Sequence, residues 1–165
     1  MTDSIRIRKA TDEDVPAIVE LWQELMKFHG DRDDFFEVSD DGPSVFAGFI
    51  ECCLISEQHR LTLAEKGKRI IGYCLAAQCQ YPPVYRNRNY AEVIDLAVTS
   101  EHRGRGAGTA MVEELIRYYN GIGINRIECR VAITNEISTR FWRKMGFGPF
   151  MEILCANRAE DSQKT

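Results

Sequence analysis

Residues 90–119 read YAEVIDLAVTSEHRGRGAGTAMVEELIRYY, and this stretch decides the fold. Tyr90 to Val98 is an apolar run of strand length. Met111, Val112, Leu115, Ile116 and Tyr119 recur at helical spacing. Between strand and helix lies Arg103-Gly104-Arg105-Gly106-Ala107-Gly108. A helix start leaves backbone N–H groups unpaired and carries partial positive charge. Glycines let the chain curl tightly and let an anion approach those amides. The location therefore points either to a cradle for phosphate oxygens in this loop, with the Arg103 and Arg105 side chains adding charge where a polyphosphate would lie, or to a tight solvated turn with two surface arginines.

Two other phosphate-binding patterns fit less well. A Walker loop requires a Lys after its last glycine, and none is present. A dinucleotide fingerprint needs G-x-G-x-x-G directly after a strand, whereas Gly104, Gly106 and Gly108 alternate and Thr99 to Arg103 intervene.

Outward from this stretch the pattern is α/β. Ile5 and Ile7 alternate with Arg6 and Arg8 in a first strand. Thr11 is placed as an N-cap before acidic Asp12 to Asp14, and Val15, Ile18, Trp22, Leu25 and Met26 mark a helix to about His29. Pro43 opens a second helix with Val45, Phe46, Phe49, Ile50 and Leu54 expected inward. Strands are expected at 60–65 and 69–80, joined through Lys66-Gly67-Lys68. Beyond the central helix, which Gly121 ends, a strand is expected at 126–133. A helix follows at 135–145 with Ile137, Phe141 and Met145 inward, and a last strand at Phe150 to Cys155. The order is βααβββαβαβ: one domain over residues 1–158, with a mixed, mostly antiparallel sheet of six to seven strands flanked by helices, and a polar tail over 159–165.

Composition bounds the function. The 165 residues contain 44% hydrophobic and 28% charged side chains, an ordinary globular balance. The net charge of −4 argues against non-specific nucleic-acid binding, which runs on phosphate neutralisation. The N-terminus has no signal-peptide pattern, and no apolar run reaches membrane-spanning length, so a cytoplasmic protein without a membrane partner is expected. Cys52, Cys53, Cys74, Cys79, Cys129 and Cys155 form no C-x-x-C pair and no metal-ligand spacing, so reduced thiols and no metal site are expected.

Ile94-Asp95-Leu96-Ala97-Val98, then Arg103 to Gly108, then Asn135 and Phe141-Trp142-Arg143-Lys144-Met145-Gly146-Phe147 together resemble the GNAT superfamily of N-acetyltransferases. The family's loop is R/Q-x-x-G-x-G/A, matched by Arg103, Gly106 and Gly108. The resemblance in element order covers about Ile5 to Cys155, and the specific motifs cover Glu92 to Phe147.

The resemblance implies acetyl-CoA as co-substrate, lying where the strand near Val98 splays from the strand near Val131. Its pyrophosphate would sit on the amides of Arg103, Gly104, Arg105, Gly106, Ala107, Gly108 and Thr109. Its pantetheine arm would run along Leu96, Ala97 and Val98, with the Val98 N–H facing the thioester carbonyl. Asn135 would contact the same arm, and it is equally placed to cap the following helix. The reaction implied is direct attack of a primary amine on the thioester. Some family members place a catalytic glutamate at the position of Glu92, so Glu92 is the candidate base, aligned by strand alternation with Ile94, Leu96 and Val98. Asp95, on the opposite face, is expected to be structural. Trp142 stands where the family often has a tyrosine that protonates the leaving thiolate. Indole does not serve as an acid, so Trp142 is a packing residue or a wall beside the thiol.

The resemblance implies that the first two helices, their connection and the last strands line the acceptor site; Asp31, Asp33, Asp34, Glu37, Asp40 and Asp41 in that connection would attract a cationic small-molecule or peptide amine, or form a solvated acidic loop. Tyr85, Arg86 and Arg88 stand in a second candidate loop. A homodimer is consistent with the family. The competing function is an acyl-CoA sensor of the same fold without turnover.

Overall fold

The computed structural model describes residues 4–156; the expected polar tail lies outside them. Five strands form one sheet in the order β1-β2-β3-β4-β5: β1 Ile5–Lys9, β2 His59–Lys66, β3 Arg69–Gln80, β4 Asn89–Val98 and β5 Ile127–Cys129. The first four pair antiparallel, and β5 joins β4 in parallel after a crossover through a helix. The helices are α1 Val15–Gly30, α2 Gly42–Ile55, α3 Ala107–Gly121 and α4 Glu136–Lys144.

Two cores sandwich the sheet. On one face α1 and α2 bury Ile18, Leu21, Phe46, Ile50 and Cys53 against Leu61, Leu63, Tyr73 and Leu75. On the other, α3 buries Met111, Val112, Leu115 and Tyr119 against Ile71, Cys74, Ala76, Ala91 and Val93, with Trp142 of α4 joining them. The order expected from the sequence is therefore present up to α4.

Three expectations are corrected. The sheet has five strands among the described residues, not six to seven. Phe150 to Cys155 is exposed and unpaired, and Phe150 instead lays its ring 4.0 Å from the Arg126 guanidinium. In α2, Val45 and Phe49 are exposed and Cys53 is buried. That helix is apolar on most sides, so composition did not mark its inner stripe, and the 3.6-residue repeat through Phe46, Ile50 and Cys53 sets it. In α4, Ile137 is exposed and Trp142 is the buried residue.

The sheet's first strand is tied to α1 by charge. Arg8 donates from both terminal guanidinium nitrogens to Asp14 at 2.7 Å, and the Thr11 N–H donates to Asp14 Oδ2 at 2.8 Å. The Arg8 hydrogen bonds, against opposing desolvation, pull the Asp14 carboxyl from the usual 3.8 down to about 2. A carboxylate depressed in the folded state stabilises above its unfolded pKa and loses that contribution as pH falls through the folded one. Chemical denaturation from pH 7 to 2 is expected to show a loss on the order of 1–2 kcal/mol below pH 4 that Asp14→Asn lacks, because the variant has already lost it at neutral pH. Parallel pH profiles for the two proteins would contradict this.

Candidate functional site

The site starts from an irregularity in β4. Opposite β3, Val93 pairs with Ala76 and Asp95 pairs with Leu75, so Ile94 has no partner. It is the extra residue of a β-bulge. Two consequences follow.

The first concerns the neighbouring strand. The pairs between β4 and β5 are Ala91↔Ile127, Glu92↔Glu128 and Val93↔Cys129, so the ladder ends at the residue before the bulge. The expected strand to Ile133 shortens to Cys129, because its partner edge is withdrawn. The open edge of β4 presents particular groups. The Thr99 N–H donates to the Ile71 carbonyl at 2.9 Å, so by antiparallel alternation Asp95 and Ala97 also turn their backbone groups to β3. Leu96 and Val98 turn theirs to the unpaired side. The Val98 carbonyl accepts from Arg103 Nε at 3.0 Å.

The second consequence is a change of face. Alternation without the bulge would put Glu92 with Leu96 and Val98. The register puts Glu92 opposite Ala77 and Asp95 opposite Leu75, both on the α1/α2 face with Ala97. Leu96 and Val98 pack on the α3 face with Val93. Asp95 is thus on the same face as Glu92, contrary to the alternation argument. Its Oδ2 accepts from the buried Tyr73 hydroxyl at 3.1 Å, and desolvation raises its pKa. Glu92 is bridged by Arg130 Nε at 3.1 Å, the first β5-side residue past the last pair.

The Gly-rich loop follows β4 through a short 3-10 turn, Ser100–His102. Gly104 and Gly106 have φ of +72° and +91°, and Gly106 caps α3. The first bond of α3 from this end is Ala110 N–H to Gly106 carbonyl. Among the described residues, no hydrogen bond takes up the amides of Gly104, Arg105, Gly106, Ala107, Gly108 or Thr109. A Cβ at Gly104 or Gly106 would meet no atom within 4 Å, so the space above these amides is open. Gly108 serves packing instead: a Cβ there would stand 3.3 Å from the Phe141 ring, in the seat of α4 on α3.

The Arg103 side chain departs from the expected charge beside the cradle. It reaches back to Val98, approaches Glu24 of α1 at 3.5 Å, and lies 5.3 Å from the Phe28 ring centroid. It ties the loop to β4 and α1. Arg105 is exposed and has no ion-pair partner among the described residues.

Asn135 is 7% exposed and caps α4, its Oδ1 accepting from the Ser138 N–H at 3.0 Å. Its side-chain N–H₂ has no partner among the described residues. Trp142 is 6% exposed, edge-on to Phe141 and Phe147 at 5.2 and 4.8 Å between ring centroids, which makes it a packing residue. Thiols at Cys53, Cys74 and Cys129 are pushed up by burial, the wrong direction for nucleophiles. In the acidic connection Asp31 meets Lys27 at 3.3 Å, Asp33 accepts from the Phe35 N–H, and Asp41 accepts from the Ser39 hydroxyl, so half of its carboxylates have local partners. Among the described residues no helix is long and apolar enough to cross a membrane, and no three potential ligands cluster for a metal.

A mixed sheet opened beside a bulge, with an amide-lined helix start at its mouth, defines an acyltransferase-type α/β domain. The chain belongs to the Acetyltransferase (GNAT) family, whose sequence pattern matches residues 16–147. An uncharacterized N-acetyltransferase of Methanocaldococcus jannaschii, MJ1530, is 34% identical over 86 residues, 52% of this chain and 50% of the relative. The chain thus spans about half the length of that curated relative. Among solved structures, a tetramutant of the Bacillus halodurans protein BH1408 superposes with a TM-score of 0.82 at 23% identity, covering 93% of this chain and 99% of that one. A predicted acetyltransferase from Clostridium acetobutylicum, solved with acetyl-CoA, gives 0.76 at 20%, covering 93% and 96%. At these identities the structures share the fold.

The sequence marked the loop, Asn135 and the strand edge. Tyr73 and the face of Asp95 carry no signal in the sequence, because both follow from the bulge. Gly106→Val is expected to lower CoA affinity at least about tenfold, since a branched side chain at positive φ shifts the amides out of line. The circular dichroism spectrum should stay native. Calorimetric titration with CoA checks this, and unchanged affinity would remove the loop from the site.

Proposed function

We propose that this chain transfers the acetyl group of acetyl-CoA to a primary amine by direct attack of the amine on the thioester. The observation that carries the reading is the row of uncommitted main-chain amides at Gly104 to Thr109, beside the edge that β4 leaves unpaired. Amides and helix dipole together favour a diphosphate there. Leu96 and Val98 would pair with the pantetheine arm, as a further strand would, past Ala97 between them. The free amide nitrogen of Asn135 would donate to the same arm. Acetyl-CoA supplies an activated acyl group. The Val98 N–H, aimed at the thioester oxygen, would stabilise charge there by about 3 kcal/mol.

An alkylammonium must lose a proton before it attacks, its ordinary pKa being about 10.4. Glu92 is the proton acceptor in this reading, and Arg130 at 3.1 Å holds its carboxylate in place. The leaving thiolate, with a thiol pKa of about 8.5, takes its proton from water, since Trp142 has none to give. The acceptor is a cationic small molecule or peptide amine, admitted between the α1–α2 connection and the loop after Pro83. The six free thiols fit a reducing, cytoplasmic setting.

A second reading, an acyl-CoA sensor without turnover, is favoured by one observation, the packed indole at Trp142. Incubation with acetyl-CoA and a panel of primary amines, followed by release of free thiol, separates the two. The enzyme reading expects amine-dependent thiol release. CoA protection against heat with no release on any amine would favour the sensor. For an accepted amine, Glu92→Gln is expected to reduce kcat about 10²–10³-fold at pH 6, with the deficit shrinking toward pH 9 as the amine deprotonates unaided. A pH profile identical to wild type would exclude Glu92 as the base.

A further inference from the structure

The described acidic residues that are not exposed are Asp14, Glu24, Glu65, Glu92, Asp95, Glu114 and Glu128. Six of them have a cation: Asp14 and Glu65 have Arg8, Glu24 has Arg103, Glu92 has Arg130, Glu114 has Arg60, and Glu128 has Arg126. Asp95 alone has none among the described residues. This runs against the rule that desolvated charges in proteins are paired.

The surroundings of Asp95 sharpen the contrast. The groups that face it are the Tyr73 hydroxyl from β3 and the Cys53 thiol from α2, both neutral, while the neighbouring Cys74 lies in the core on the other face of the sheet. Glu92 follows on the same face of β4. Tyr73 fixes Oδ2, while Oδ1 has no hydrogen-bond partner among the described residues. The residue directly before Asp95 is the bulged Ile94, and the residue directly after it, Leu96, turns its backbone to the unpaired edge.

We propose that Asp95 Oδ1 binds the ammonium group of the incoming acceptor, so that the cation missing from this carboxylate is the substrate. The inference rests on the acetyl-transfer reading and adds to it the residue that recognises the acceptor's charge. The acceptor class it defines is an unhindered primary alkylamine that is protonated in solution. Asp95 holds the ammonium next to the β4 edge where the thioester would lie. One N–H proton passes to Glu92, and the freed nitrogen lone pair forms the C–N bond. The C–S bond breaks with its electron pair on sulfur, and the second proton that the nitrogen sheds on becoming an amide passes through water to the thiolate. Desolvation raises the Asp95 pKa, and a bound cation would act in the opposite direction.

The probe is n-butylammonium chloride, followed by carboxyl ¹³C NMR of the full chain, with the Asp95 resonance assigned by its absence in Asp95→Asn. The expected result is a saturable shift of that resonance and a lower apparent pKa. Asp95→Asn should keep its heat protection by CoA, and its melting temperature at neutral pH should equal or exceed that of wild type, because an unpaired desolvated charge is gone. Where n-butylamine is acetylated, the variant should raise its KM about tenfold or more while kcat changes less, and Asp95→Glu should recover part of the loss. An Asp95 resonance unmoved by butylammonium in a protein that still binds CoA would overturn the proposal and leave the acyl-CoA reading intact. A lower melting temperature in Asp95→Asn with an unchanged KM would also overturn it, by showing a structural carboxylate. Failure of wild type to bind CoA would instead strike the reading beneath it.

Discussion

One extra residue in the fourth strand governs this molecule. A regular β4 would carry its ladder with β5 to the end and leave no edge for a ligand. The unpaired Ile94 ends that ladder at Val93↔Cys129 and frees the backbone of Leu96 and Val98. The same residue exchanges the faces on which Glu92 and Leu96 would otherwise lie together. A bulge costs ladder hydrogen bonds, and here the broken ladder faces the helix start whose own amides are uncommitted. Two sets of unmet backbone donors stand side by side, which is the arrangement an extended ligand ending in a diphosphate satisfies.

The surrounding contacts keep that opening in place. Arg103 ties the loop to the Val98 carbonyl and to α1, so it organises the cradle without competing with an anion for it. Gly108 lets α4 seat on the first turn of α3 through Phe141, and Asn135 caps α4 while keeping an amide nitrogen free. Trp142 fills the core behind them. Each side chain meets a local structural need, and the groups left uncommitted around the opening are mostly main chain.

Most of the fold was legible because its signals are periodic or punctuated. The stripe through Met111, Leu115 and Tyr119, the alternation of Ile5 and Ile7, and the glycines of the loop each specify local geometry. The bulge was not legible. Glu92 to Val98 is an apolar run without glycine or proline, and nothing in it distinguishes a regular strand from one with an inserted residue. The error in the face of Asp95 follows from that alone. The inner side of α2 was misjudged because too many of its positions are apolar, and that of α4 because tertiary packing chose Trp142 over Ile137. The strand expected at Phe150 to Cys155 had the right composition, but among the described residues nothing pairs with it. The direction of the Arg103 side chain depends on Glu24, 79 residues away in sequence, and no local pattern carries it.

The central claim is that coenzyme A lies along the open β4 edge with its diphosphate on the amides that begin α3. Backbone ¹H–¹⁵N NMR during titration with CoA tests it most directly. The account predicts saturable shifts of the Gly104 to Thr109 amides together with those of Leu96 and Val98, and smaller shifts for Asp95 and Ala97, whose amides are held by β3. Binding that moves other amides while the loop and the β4 edge stay still would contradict it.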